Sequence, residues 1–123
     1  MPYHKYHNKK VTYDGYTFDS RKECDRYIVL KELQKRGDIA QLELQKKFVL
    51  LPAQRAPDTV NSRGKPVKGK VIEKECAYYA DFVYFDNKSQ QFVVEDAKGM
   101  KTEVYRIKKK LMMYVHGIRI KEV

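Results

Sequence analysis

Residues 76–99 read CAYYADFVYFDNKSQQFVVEDAKG, and the way they pair decides the fold. Cys76–Asp86 is rich in aromatic and β-branched residues, as a strand prefers, and Asn87-Lys88-Ser89-Gln90 has the polarity of a turn. A shorter apolar run then ends in Glu95-Asp96-Ala97-Lys98-Gly99. A hairpin with Asp86 opposite Gln91 sets Phe85 against Phe92, Val83 against Val94, Asp81 against Asp96 and Tyr79 against Lys98, all on one side. Directly opposed side chains have Cβ atoms about 4.5–5.5 Å apart, and like charges there repel. Two aspartates so placed call for a metal, a shared proton or solvent between them. Alternate strand residues share a face, so Asp96 and Lys98 point together, while Glu95 and Ala97 point the other way. Glu95 is therefore expected to lie outside any site built on Asp96.

Working outward from the hairpin, residues 42–51 (LELQKKFVLL) alternate as a strand, with Leu42, Leu44, Phe48 and Leu50 in phase and Pro52 as the stop. Upstream, Ser20 with Glu23 three places on forms a capping-box pattern. A helix is expected from there to about Arg36, with Gly37 at its end. Glu23, Tyr27, Leu30 and Leu33 or Gln34 fall on one stripe, so Glu23 points along the buried face. Before it, residues 11–18 hold Asp14-Gly15, the signal of a type I′ hairpin. Downstream, Thr102 caps a second helix through about Tyr114. Its expected apolar stripe is Val104, Ile107, Leu111 and Tyr114 or Val115. Gly117 breaks it, and residues 118–123 alternate as a last strand. Between the strands, residues 53–74 carry two prolines and two glycines among six Lys and Arg. They read as a basic loop that could hold a short hairpin. The order is hairpin, helix, strand, basic loop, strand, strand, helix, strand. One domain over residues 1–123 is expected, an α/β (α+β) fold with a mixed central sheet and two flanking helices, behind a frayed basic N-terminus of residues 1–10.

The net charge of +10 favours a polyanionic partner. No apolar run approaches a membrane span, and the first ten residues lack the apolar core of a signal peptide, so no membrane partner and a cytoplasmic setting are expected. The two cysteines, Cys24 and Cys76, read as free thiols of a reducing compartment. His4 and His7 lie in the basic terminus, and His116 reads as a cation at a helix C-terminus. Tyr3, Tyr6, Tyr13 and Tyr16 could stack on exposed bases; Tyr78, Tyr79 and Tyr84 read as core or half-buried strand residues. Two basic runs flank the acidic hairpin, Arg63, Lys65, Lys68 and Lys70 before it and Lys101, Arg106, Lys109 and Lys110 after it. Taken singly each is a solvated surface; together they suit a phosphate backbone crossing the acids.

Three carboxylates and an amine thus converge, Glu23, Asp81, Asp96 and Lys98. Hard oxygens suit Mg²⁺, with Mn²⁺ as a substitute. With FDSRKE (18–23), LELQKKF (42–48), YYADF (78–82), VVEDAKG (93–99) and YRIKKKL (105–111) on view, the chain resembles the PD-(D/E)XK nuclease superfamily over about residues 12–123. Within it, the chain is most similar to small phage-encoded proteins like Holliday-junction resolvases. The resemblance implies a restriction-endonuclease-like core. It assigns the helical acid to Glu23, the two strand acids to Asp81 and Asp96, the lysine to Lys98, and an accessory polar position to Gln45. Ala80 stands where the motif's proline would be. It further implies a Mg²⁺-dependent endonuclease of branched DNA, phage- or prophage-encoded, acting in a bacterial host as a homodimer. The alternatives are a non-catalytic nucleic-acid-binding protein on the same fold, and an interaction protein that engages a replication factor through its basic face. The intact acids and lysine count against the first of these.

Overall fold

The structure, a computed structural model, describes residues 9–97 and 101–123. Strands β1 (Val11–Tyr13) and β2 (Tyr16–Phe18) pair around Asp14 and Gly15, whose φ values of 55° and 79° are the two positive angles a type I′ turn demands. Helix α1 (Arg21–Lys35) begins where the Ser20 hydroxyl accepts the Glu23 N–H at 3.1 Å. It buries Glu23, Cys24, Tyr27 and Leu30, the expected stripe with Cys24 beside it. Strand β3 (Ile39–Leu51) starts ahead of Leu42. Ile39 and Ala40 already pair with Asp86 and Phe85, and a register shift with Gln41 at φ 58° then interrupts the alternation that marks the strand in the sequence.

The basic segment is folded. Strands β4 (Gln54–Arg55), β5 (Thr59–Val60), β6 (Pro66–Val67) and β7 (Val71–Glu73) form two nested antiparallel ladders, β4 with β7 and β5 with β6. All of their residues are exposed, so 53–74 is an arm with no core of its own. Gly69 sits where a Cβ would come within 1.8 Å of the Ala56 carbonyl oxygen; the two backbones meet so closely that no side chain fits.

Strands β8 (Cys76–Asp86) and β9 (Gln91–Asp96) then form the hairpin in the expected register, with Asp86 opposite Gln91, Phe85 opposite Phe92, Val83 opposite Val94 and Phe82 opposite Glu95. Helix α2 (Glu103–Leu111) is capped by the Thr102 hydroxyl and continues as a π-helical turn over Met112–His116 up to Gly117. Strand β10 (Lys121–Glu122) closes the sheet, shorter than the run 118–123 suggested. The sheet order is β10–β9–β8–β3, with β10 parallel to β9 and the other pairs antiparallel, so the sheet is mixed.

Two apolar clusters flank this sheet. Phe82, Tyr84 and Ala97 pack with Phe18, Cys24, Tyr27 and Leu30, with Leu42 and Leu44 at the margin. Tyr78, Ala80, Val83 and Val94 pack with Tyr105, Met112 and Ile120, with Phe48 at the margin. The even-numbered residues of β3 and β8 thus feed the α1 cluster at one end and the α2 cluster at the other. The exchange falls at Gln45 and Asp81. Gln45 has φ 52°, and a left-handed residue inside a strand re-aims the side chains around it.

Helix α2 is turned by about one residue from the expected stripe. Tyr105 and Met112 are its buried residues, while Val104 and Ile107 are 61% and 57% exposed and Tyr114 is 88% exposed. The Tyr105 ring lies 6.4 Å from that of Tyr78, and its hydroxyl donates to Glu122 Oε2 at 2.7 Å. Those contacts, made by a residue between the apolar positions, set the helix rotation. The π-helical turn then shifts the phase of everything after Leu111. Among the described residues no helix is long and apolar enough to cross a membrane.

Candidate functional site

Asp81 lies in β8, a central strand of the sheet, between Gln45 of β3 and the end of β9. The pairs Leu44–Phe82 and Lys46–Ala80 bracket Gln45 directly opposite Asp81. Its side-chain amide donates to both Asp81 Oδ1, at 3.2 Å, and Glu23 Oε1, at 3.0 Å. One amide therefore ties an acid of α1 to an acid of β8, and the left-handed backbone of Gln45 aims it there. On the other side, the Ala97 N–H donates to Asp81 Oδ2 at 2.7 Å. Asp81 is thus held against the peptide bond that follows Asp96, just past the ladder, which ends at Phe82 and Glu95.

Asp96 receives a buried hydrogen bond from the Tyr78 hydroxyl at 2.6 Å. Burial, then this carboxylate, push the Tyr78 phenol upward. Glu122 is paired with Asp96 in the neighbouring strand. It takes the Tyr105 hydroxyl and the ammonium groups of Lys101 and Lys109 at 3.2 and 3.3 Å, and with Tyr105 as the leading cause its carboxyl falls to about 2.

Glu23 is the carboxylate whose acidity the site weakens. It is only 6% exposed. Burial first, then the charges of Asp81 and Asp19, raise its carboxyl to about 7, against hydrogen bonds from the Asp19 backbone and Gln45. Glu23 therefore serves the helix start and the acidic cluster together, since its own N–H is capped by Ser20 while its carboxylate meets Gln45.

Glu95 is buried on the face opposite Asp96, as expected, the face that α1 covers. The Arg26 guanidinium grips it through two bonds of 2.8 and 2.6 Å, and the Tyr84 hydroxyl donates to the same carboxylate. Lys121 adds a more distant cation at 3.9 Å. This fork is a residue pair that sequence reasoning missed. Arg26 lies one residue from Tyr27 on a helix whose polar positions all look alike, and nothing local marks the one that reaches under the sheet.

Among the predicted site residues, Gln45 joins Glu23 to Asp81, Asp81 accepts the N–H that follows Asp96, and the Asp96 carboxylate itself meets Tyr78; Lys98 lies outside the described residues, as do Tyr3, Tyr6, His4 and His7. Arg63, Lys65, Lys68 and Lys70 sit exposed on the arm and form no ion pair with a described residue. Lys101 and Lys109 are engaged by Glu122, while Arg106 and Lys110 are exposed on α2. Tyr13 and Tyr16 are half exposed, with rings 6.3 and 5.5 Å from Tyr27, whose hydroxyl donates to Asp14. His116 faces the Val49 carbonyl at 2.7 Å and the Phe48 ring, a tertiary contact as well as a helix end.

Among the described residues, no three His, Cys, Asp or Glu side chains form a group that could by itself hold a metal. The chemistry of the donor set still suits a hard cation. The carboxylates are buried, come from three elements, and one is driven toward its neutral form first by burial and then by another's charge. A divalent cation at Asp81 and Asp96 would relieve that repulsion.

Fold and centre together define a mixed α+β protein with buried carboxylates where its sheet exchanges faces. The chain belongs to the family described as "Protein of unknown function (DUF1064)", which matches residues 3–121. No curated protein and no solved structure matches it.

Proposed function

We propose that this protein is a divalent-metal-dependent endonuclease that hydrolyses phosphodiester bonds in branched DNA, on a restriction-endonuclease-like core. The observation that carries the reading is the Gln45 amide joining Glu23 to Asp81, with Asp81 in turn bonded to the N–H that follows Asp96. Glu23 and Asp81 share that amide, at a cost visible in the raised carboxyl of Glu23, and Asp96 adjoins them through the backbone. Core packing alone gives no reason to bury them so.

Asp81 and Asp96 would hold Mg²⁺ or Mn²⁺, which when bound polarises the scissile phosphate and acidifies a water. Asp96 is fixed for this by Tyr78, and Asp81 by Gln45 and Ala97. Glu23, held in place by Gln45, would orient the attacking water and accept its proton directly. Lys98, on the resemblance, would assist the nucleophile and offset phosphate charge. The arm residues Arg63, Lys65, Lys68 and Lys70 and the α2 residues Arg106 and Lys110 supply cations on either side for the phosphate backbone. The phage or prophage setting, in recombination or replication, and a homodimer placing two cuts symmetrically follow from the same resemblance.

The test is cleavage of labelled four-way junction, flap and linear duplex with and without Mg²⁺, by the wild type and by Asp96→Asn. Cleavage should need the metal, prefer branched DNA, and fall about a hundredfold or more in the variant, whose junction binding stays equal or tightens. Wild-type rates in Asp96→Asn would refute the site. Binding with no cleavage under any divalent ion would leave a nucleic-acid-binding protein on this fold.

A further inference from the structure

Helix α2 and the segment 118–120 enclose a groove of about 460 Å³, within the range that ligand sites occupy. Cationic Arg106, Lys109, Lys110 and Arg119 line it together with apolar Met113 and Ile118, and no acid among the described residues does. Lys109 already meets Glu122. Arg106, Lys110 and Arg119 form no ion pair with a described residue. Tyr114, next in the chain after Met113, is 88% exposed. The groove is linked to Asp96 through one intervening residue. Glu122, the partner of Lys109, is paired with Asp96 in the adjacent strand, and neighbouring strands lie about 4.8 Å apart.

Uncompensated cations around an apolar patch match a ligand that is anionic along one edge and flat and apolar on another. An unpaired nucleotide has that form, with its phosphate on one side and the face of its base on the other. Continuous duplex does not, because its bases are stacked inside and it offers this surface only backbone phosphates. We propose that this groove takes unpaired nucleotides, the base against Met113 and Ile118 and the phosphates on Arg106, Lys110 and Arg119. The preferred ligand is then DNA with a single-stranded segment beside the acidic centre. That the bond cut lies next to this segment rests on the nuclease reading; the binding itself does not.

Binding is measured in EDTA by fluorescence anisotropy, with a labelled short oligothymidylate, an abasic strand of the same length and a duplex. Met113→Asp and Arg119→Glu change exposed positions, and their thermal melts check that each still folds. Wild type should bind the abasic strand about tenfold more weakly than oligothymidylate, in line with the loss of base stacking. Met113→Asp should erase most of that difference. Arg119→Glu should weaken single-strand binding about tenfold and duplex binding less than about threefold. Equal affinity for abasic and normal strands would overturn the proposal, as would equal losses on duplex and single strand. Displacement of the oligonucleotide by polyglutamate at matched charge would also overturn it, in favour of an acidic protein ligand. Loss of cleavage with this binding pattern intact would count against the nuclease reading alone.

Discussion

Replacing Glu23 by Gln tests the acidic centre without any assumption about catalysis. The carboxyl is displaced from 4.5 to about 7, chiefly by burial and then by Asp81. At about 1.4 kcal/mol for each tenfold change in acidity, this amounts to about 3 kcal/mol. The sign follows from which state holds the proton more tightly. The fold tolerates neutral Glu23 and resists the ionised form, so the folded state keeps its proton to higher pH than the unfolded chain. Stability from this group is complete below about pH 4.5, is lost as pH rises, and the loss levels off above about pH 7. Glu23→Gln keeps a carbonyl oxygen for the Gln45 amide and removes the ionisation. Urea unfolding in EDTA, followed by far-ultraviolet circular dichroism between pH 4.5 and 8, gives the stability of each protein. The variant's advantage over wild type should grow by about 3 kcal/mol across that window, and the difference cancels the carboxyls not coupled to Glu23. Asp81→Asn in the wild-type background should shrink the pH-dependent loss, since it removes the second cause. Parallel stability profiles, within about 0.5 kcal/mol, would refute the claim that Glu23 is buried against another acid.

Two further outcomes are expected. Changing Lys65, Lys68 and Lys70 together to Ala should weaken junction binding and lower the salt slope by up to about 3, one for each phosphate no longer neutralised; an unchanged slope in anisotropy titrations would remove the arm from the interface. Arg26→Met leaves Glu95 buried beneath the sheet without its fork and should cost about 3–5 kcal/mol by urea unfolding, with much of it recovered when Glu95→Met is added; a single-variant loss below about 1 kcal/mol would show that Tyr84 and Lys121 suffice.

The hairpin register was legible because it depends on local things: a polar turn, the two-residue period of a strand, and apolar residues that match when Asp86 meets Gln91. The caps at Ser20 and Thr102 were legible for the same reason. What sequence concealed lay in tertiary choices. Val104, Ile107 and Leu111 form a proper apolar stripe, yet of the three only Leu111 packs on the core, beside Tyr105 and Met112, because a phenol can fill a core and still bond Glu122 at its rim. Leu42, Leu44, Phe48 and Leu50 share a phase, but they serve two different clusters, since no side-chain pattern announces a left-handed Gln45 between them. Gln45 itself entered only through the resemblance, as an accessory position, and it proves to be the side chain that joins two of the acids. The arm at 53–74 shows only its charge in sequence, because nested ladders two or three residues long leave no periodicity to read.

The backbone at position 45 has one more consequence. An L-residue pays about 1–2 kcal/mol to stand left-handed, whereas glycine adopts that shape freely. Glycine at this codon would relieve the backbone yet strip two buried carboxylates of their shared donor, a loss of about 1–3 kcal/mol for each acceptor left unmet. The strained backbone persists because the side chain it carries stabilises the fold locally.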